Sequence, residues 1–166
     1  MRYETGPGEQ AQVDFGQLRV WISEDSARVH LFILTLGYSR RLWIQACPHE
    51  RLSALLDGHE RAFRHFCGVP LTCLYDNPRT LVLGRPELEV HRHTVFHDFT
   101  RYYGVTPWAC QPYRARTNGK VARGVVYVKR NALAGRRFAS WDSLNAWLGE
   151  WMATVADQRG HGTTHP

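Results

Sequence analysis

The sequence predicts an α/β domain built on a mixed five-stranded sheet with flanking helices. Three observations carry this. Between Ala11 and Cys47, apolar side chains recur at strand-like intervals in three consecutive segments. At Arg51 the spacing lengthens to three or four residues, the period of an amphipathic helix. Beyond it helix-like and strand-like segments alternate, so the order reads βββ-α-β-α-β-α-α, an antiparallel meander followed by crossover units. With 166 residues, 43% apolar and 12% aromatic, the chain is long enough for one domain with a core and too short for two ordinary ones.

The elements follow in order. Residues 1–10, with Gly6-Pro7-Gly8, read as an extended lead-in. Ala11 to Val20 alternates around Val13, Phe15, Leu18 and Val20, and Glu24-Asp25-Ser26 turns the chain. Arg28 to Leu36 is almost continuously apolar, as a central strand should be. Leu42 to Cys47 closes the meander. Leu52, Leu55, Leu56, His59, Ala62, Phe63 and Phe66 then mark one face of a helix that stops near Gly68. Leu71 to Tyr75 is a fourth strand and Glu87 to Tyr103 a helix, with Leu88, Val95, Phe96, Phe99 and Tyr103 as candidate core. Val105 to Ala109 is the fifth strand. Gly119 to Leu133 carries Val121, Val125, Val128 and Ala132 at helical spacing. A last helix, Trp141 to Ala156, turns Leu144, Trp147, Leu148, Trp151 and Val155 inward, with Ser140 or Asp142 near its cap. The folded core is expected to span 11–158, with 159–166 as a tail.

Charge is unevenly placed. The net charge is +6, yet the stretch from Phe99 to Trp141 holds nine basic residues and no carboxylate. The rest of the chain is therefore net acidic. Such a one-sided segment repels itself unless an anion faces it, and nucleic acid is the simplest such partner. A general preference for arginine explains Arg over Lys, but not the missing acids. No apolar run reaches the ~20 residues of a membrane helix, and Glu4 and Glu9 interrupt any leader-like start. A cytoplasmic, nucleic-acid-associated protein is expected, with no membrane partner. Cys47, Cys67, Cys73 and Cys110 form no CxxC pair and read as buried, reduced thiols. His91, His93 and His97 lack a completing ligand and read as helix surface. Trp43, Trp108 and Tyr113 read as core or rim.

Two aspartates stand at strand-like runs, in Gln12-Val13-Asp14-Phe15-Gly16 and Leu74-Tyr75-Asp76-Asn77. A third segment, Asn118-Gly119-Lys120-Val121-Ala122-Arg123-Gly124, opens a basic helix. The opening Gly8 to Asp14 (Gly-Glu-Gln-Ala-Gln-Val-Asp), the Tyr75-Asp76-Asn77 motif and the Gly119 to Gly124 motif together resemble the catalytic core of DDE transposases and retroviral integrases. Among these the chain is most similar to IstA-type transposases of two-gene insertion sequences. Arg136-Arg137-Phe138 and His161-Gly162-Thr163-Thr164 fit the same resemblance, which covers nearly the whole chain.

The resemblance implies a ribonuclease-H-like (integrase core) fold and a polynucleotidyl transferase. Water would free a 3′ hydroxyl at a transposon end, and that hydroxyl would attack target DNA. It implies two Mg²⁺ or Mn²⁺ ions held by Asp14, Asp76 and a helical glutamate. It further implies a homo-oligomer on paired ends, transposon-end and target DNA as partners, an AAA+ ATPase helper, and flanking regions that this chain lacks. Phosphates near the metals would meet Lys120, Arg123, Tyr127 and Arg130, with Arg114 and Arg116 in the preceding loop.

The departure is Ala122, which stands where that glutamate belongs. A methyl group ligates no metal, and no acid between Asp98 and Asp142 can replace it. The expectation is a transposase core disabled at Ala122, through a deliberate Glu→Ala substitution or through decay. The alternative is a domesticated, non-catalytic integrase-like domain that binds DNA or a protein partner. A ribonuclease-H-like nuclease acting on RNA–DNA hybrids shares fold and metals but not the Gly-Lys-Val motif.

Overall fold

The computed structural model describes residues 8–75, 86–109 and 126–156, with backbone alone at 86–93, 109, 155 and 156. Strands β1 (Gln10–Ile22), β2 (Asp25–Leu36) and β3 (Leu42–Cys47) form the expected antiparallel meander. Helix α1 (Leu52–Phe66) leads to β4 (Thr72–Tyr75), and α2 (Pro86–Tyr103) leads to β5 (Thr106–Ala109). Both short strands add in parallel, giving the sheet order β3-β2-β1-β4-β5. A sixth strand, β6 (Arg137–Phe138), pairs in parallel with the far end of β1 at Trp21 and Ile22. It was not expected, because two residues are too few to show a period.

The sheet is covered on both faces. Ala11 and Val13 of β1, with Phe32 and Leu34 of β2, pack against Leu55, Ala62 and Phe63 of α1 and Phe96 of α2. Leu18, Val20 and Ile22 join Val29, Leu31 and Ile33 on the other face. There they meet the helical segment α3 (126–133), β6 and α4 (Trp141–Trp151). Val13, Phe15, Leu18 and Val20 therefore do not form one alternating stripe. Side chains switch face at every residue, so the three-residue step from Phe15 to Leu18 marks a change of layer.

Val128 and Ala132 of α3 are buried as expected, as are Leu144, Leu148 and Trp151 of α4. Ser140 caps α4, its hydroxyl accepting from the Ser143 N–H at 3.1 Å. Both helices were expected to be α-helical to their ends. Instead Lys129–Leu133 and Met152–Ala156 are π-helical. A wider turn spreads the inward arc over adjacent residues, and Leu133 and Met152 are accordingly buried beside Ala132 and Trp151.

Two side chains from this C-terminal part close the outer edge of β3. Asn145 Oδ1 accepts from the Ala46 N–H at 2.7 Å while its Nδ2 donates to the Ala46 carbonyl at 3.1 Å. Met152 Sδ accepts from the Ile44 N–H at 3.1 Å. Edge groups that could pair with another chain are thereby satisfied internally.

Burial pushes the Cys47 and Cys73 thiols up to about 12, in keeping with inert reduced cysteines. Cys67 corrects that expectation, being exposed at the left-handed cap of α1 with φ 56°. Cys110 lies outside the described residues. Among the described residues no helix is long and apolar enough to cross a membrane.

Candidate functional site at the junction of β1 and β4

The parallel register of β1 and β4 runs from Gln10 with Thr72 to Val13 with Tyr75. Asp14 is the next residue of β1, and Asp76 is the residue bonded to Tyr75. Asp14 is half-buried, pairs across the ladder with Ile33, and shares a strand face with Leu18 and Val20. Its carboxylate thus belongs to the layer of α3 and α4. Beyond Val13, the flank of β1 away from β2 has no described partner strand until β6 at Trp21.

Asp76, Arg114, Arg116, Lys120, Ala122 and Arg123 lie outside the described residues. So does Tyr113, along with Val121 and Val125. Of the expected DNA-facing residues, Arg130 is exposed on α3. Tyr127 is half-buried, its ring 5.6 Å from that of Trp151, so it packs partly into the core. His97 is exposed, Trp108 is exposed and Trp43 is half-buried against the core. Among the described residues no three His, Cys, Asp or Glu side chains gather around a common point that could hold a metal.

Beneath the junction lies a contact that the sequence reading did not find. His59, fully buried in α1, places Nε2 2.7 Å from the Tyr75 hydroxyl and Nδ1 2.6 Å from the Leu55 carbonyl. A carbonyl only accepts, so Nδ1 carries the proton and Nε2 accepts from the phenol. Burial lowers the imidazole from its ordinary 6.5 to about 4, with the Leu55 hydrogen bond acting in the opposite direction. Burial also raises the Tyr75 hydroxyl well above its usual range. The pair is neutral and locked. The available signal was a histidine on the apolar stripe of α1 and a tyrosine ahead of Asp76.

Residues 4–115 match the family of the integrase core domain. The chain belongs to this family. The matched span of this integrase core contains Asp14 and Asp76 and ends before Ala122. The putative transposase for insertion sequence element IS5376 from Geobacillus stearothermophilus is 38% identical over 99% of this chain and 41% of its own. The transposase for insertion sequence element IS21 from Pseudomonas aeruginosa is 38% identical over 96% of this chain and 41% of its own. The integrase core thus spans about two fifths of the length of these relatives. The HTLV-2 integrase catalytic core domain in complex with magnesium, in its dimeric form, superposes with a TM-score of 0.61 at 13% identity, covering 95% of this chain and 92% of that one. The fold is the ribonuclease-H-like one expected from the motifs.

Proposed function

We propose that this integrase core is the catalytic domain of a DNA transposase, freeing a 3′ hydroxyl at a transposon end and joining it to target DNA. We further propose that it is inactive as it stands, because Ala122 occupies the position of the third carboxylate. The observation that carries the reading is the rung between Val13 and Tyr75, since an aspartate follows each on neighbouring parallel strands. Asp14 and Asp76 are the proposed metal-holding pair on the ground of that rung.

The donor chemistry fits hard divalent cations in part. Carboxylate oxygens are the ligands Mg²⁺ and Mn²⁺ prefer, and Asp14 and Asp76 would provide them; Ala122 provides none. Bound ions would supply Lewis-acid activation at the reacting phosphate. The protein's own part is to hold Asp14 on a strand paired along its length with β2, so that its carboxylate is positioned by the sheet. Lys120, Arg123 and Arg130, with Arg114 and Arg116, are proposed to hold DNA phosphates, Arg by bidentate contacts. Tyr127 is proposed to border them. Homo-oligomers on paired ends and an AAA+ helper belong to the same proposal.

The test is Mg²⁺- or Mn²⁺-dependent strand transfer from a pre-cut end, comparing this sequence with Ala122→Glu in a chain extended to the length of its relatives. Joining that appears only with the glutamate supports a disabled transposase core. No joining by either, with folding and DNA binding intact, favours the alternative of a non-catalytic integrase-like domain that binds DNA or a protein partner.

A further inference from the structure

A second basic surface lies on the same strand as Asp14, away from the junction with β4. There β1, α3 and the segment leading into β6 enclose an open groove of about 640 Å³. Five cationic side chains line it, Arg19, Lys129, Arg130, Arg136 and Arg137, and no lining residue is acidic. Glu24 and Asp25, at the tip of the nearby hairpin, are not among the lining residues. Two of the guanidinium groups are held in place by aromatic rings. Arg137 lies 4.8 Å from the centre of the Trp21 ring, and Arg136 lies 3.8 Å from that of Trp147. Arg19 donates to the Ser26 carbonyl at 3.4 Å. Among the described residues none of the five is paired with a carboxylate.

Unpaired like charges this close repel one another, and stacking keeps the arginine forks ordered while leaving their N–H groups for an anion. Arg19 is five residues beyond Asp14 on β1, roughly 17 Å at about 3.4 Å per strand residue, with its side chain on the opposite face of the strand. That is about five base pairs at the ~3.4 Å rise of each DNA strand. We infer that this groove binds the phosphate backbone of duplex DNA flanking the segment engaged at Asp14, giving the domain a second, sequence-independent contact. The inference rests on the DNA-joining reading above and shares only Arg130 with it; Arg19, Lys129, Arg136 and Arg137 are not used by that reading.

The experiment measures duplex DNA binding by the whole chain as a function of salt. Arg19→Gln combined with Arg137→Gln is compared with a charge-matched control, Arg51→Gln with Arg64→Gln, all four positions being exposed. The groove pair is expected to weaken binding about tenfold or more near 0.1 M salt and to flatten the log–log salt slope by about 2, one per phosphate contact. The control pair should change neither by that amount, and circular dichroism should show both variants folded. If the unsubstituted chain binds duplex DNA and the groove pair binds it equally well, the groove assignment is wrong while the DNA reading stands. If the unsubstituted chain binds no duplex even at low salt, both fall. Should polyglutamate bind instead and be lost with the groove pair, the surface is a site for acidic protein.

Discussion

Tyr75 at the end of β4 donates its phenolic proton to His59 Nε2 across 2.7 Å, at the last rung before Asp76. The bond joins α1 to the strand end through a site from which water is excluded, so each partner depends on the other. In Tyr75→Phe, His59 Nε2 loses its donor inside the core. The expected loss is about 1–3 kcal/mol of stability, measured by urea unfolding at pH 7.5. Full stability in Tyr75→Phe would show that the bond contributes nothing net.

The same histidine makes stability depend on pH. His59 takes its proton near 6.5 when unfolded and near 4 when folded. Between those values the unfolded chain binds more protons, so the contribution is complete above pH 6.5 and is lost as pH falls toward 4. A shift of this size corresponds to about 3 kcal/mol. Unfolding free energies between pH 7.5 and 4.5 should therefore fall more steeply in the unsubstituted chain than in His59→Gln. Parallel curves would exclude His59 as the source.

Gly58→Ala should destabilise despite lying in a helix. A methyl group there would sit 2.7 Å from the ring of Phe32, which is itself fully buried in β2. Overpacking of this kind costs about 1–3 kcal/mol, more than the ~1 kcal/mol by which alanine outranks glycine in a helix. A higher urea midpoint in Gly58→Ala would show that the ring can retreat.

Asn145→Ala removes the acceptor and donor that close Ala46 at the edge of β3. A loss of about 1–3 kcal/mol is expected, together with a greater tendency to aggregate, since an unpaired strand edge is a template for another chain. Light scattering on heating checks the second part. Equal scattering from both proteins would mean the edge stays protected by α4 alone.

In the chain carrying Ala122→Glu, adding Asp14→Asn should return strand transfer to background while leaving the fold intact. Asn145 and His59 lie elsewhere, so thermal melting separates lost chemistry from lost structure. Persistent joining by the doubly substituted protein would remove Asp14 from the proposed site.

Much of this architecture was legible because hydrophobic period is strong in long elements. Arg28 to Leu36 reads as a strand from the middle of a sheet, and the recurrence from Leu52 to Phe66 reads as one helix face. That β1 and β4 lie side by side was legible through the motifs around Asp14 and Asp76. Less visible were features that need three dimensions. The change of layer between Phe15 and Leu18 looks like ordinary alternation until the helices on each face are known. Arg137 and Phe138 make too short a strand to leave a periodic trace. The groove joins Arg19 to Arg137 across more than a hundred residues, so no local window contains it. His59 sat on the correct stripe, but its partner could be identified only once β4 lay beneath α1.

β1 has a kinetic consequence. Ala11 to Val13 are flanked on one side by β2 and on the other by β4, while the far end of the same strand is held by β6. No peripheral fraying can release that segment; its amides should exchange with solvent only when the whole domain opens. Asp14 therefore follows directly on the slowest-exchanging part of the molecule. If the proposed DNA-joining reading holds, motion that admits the DNA has to come from the surroundings, moving past a carboxylate that stays still.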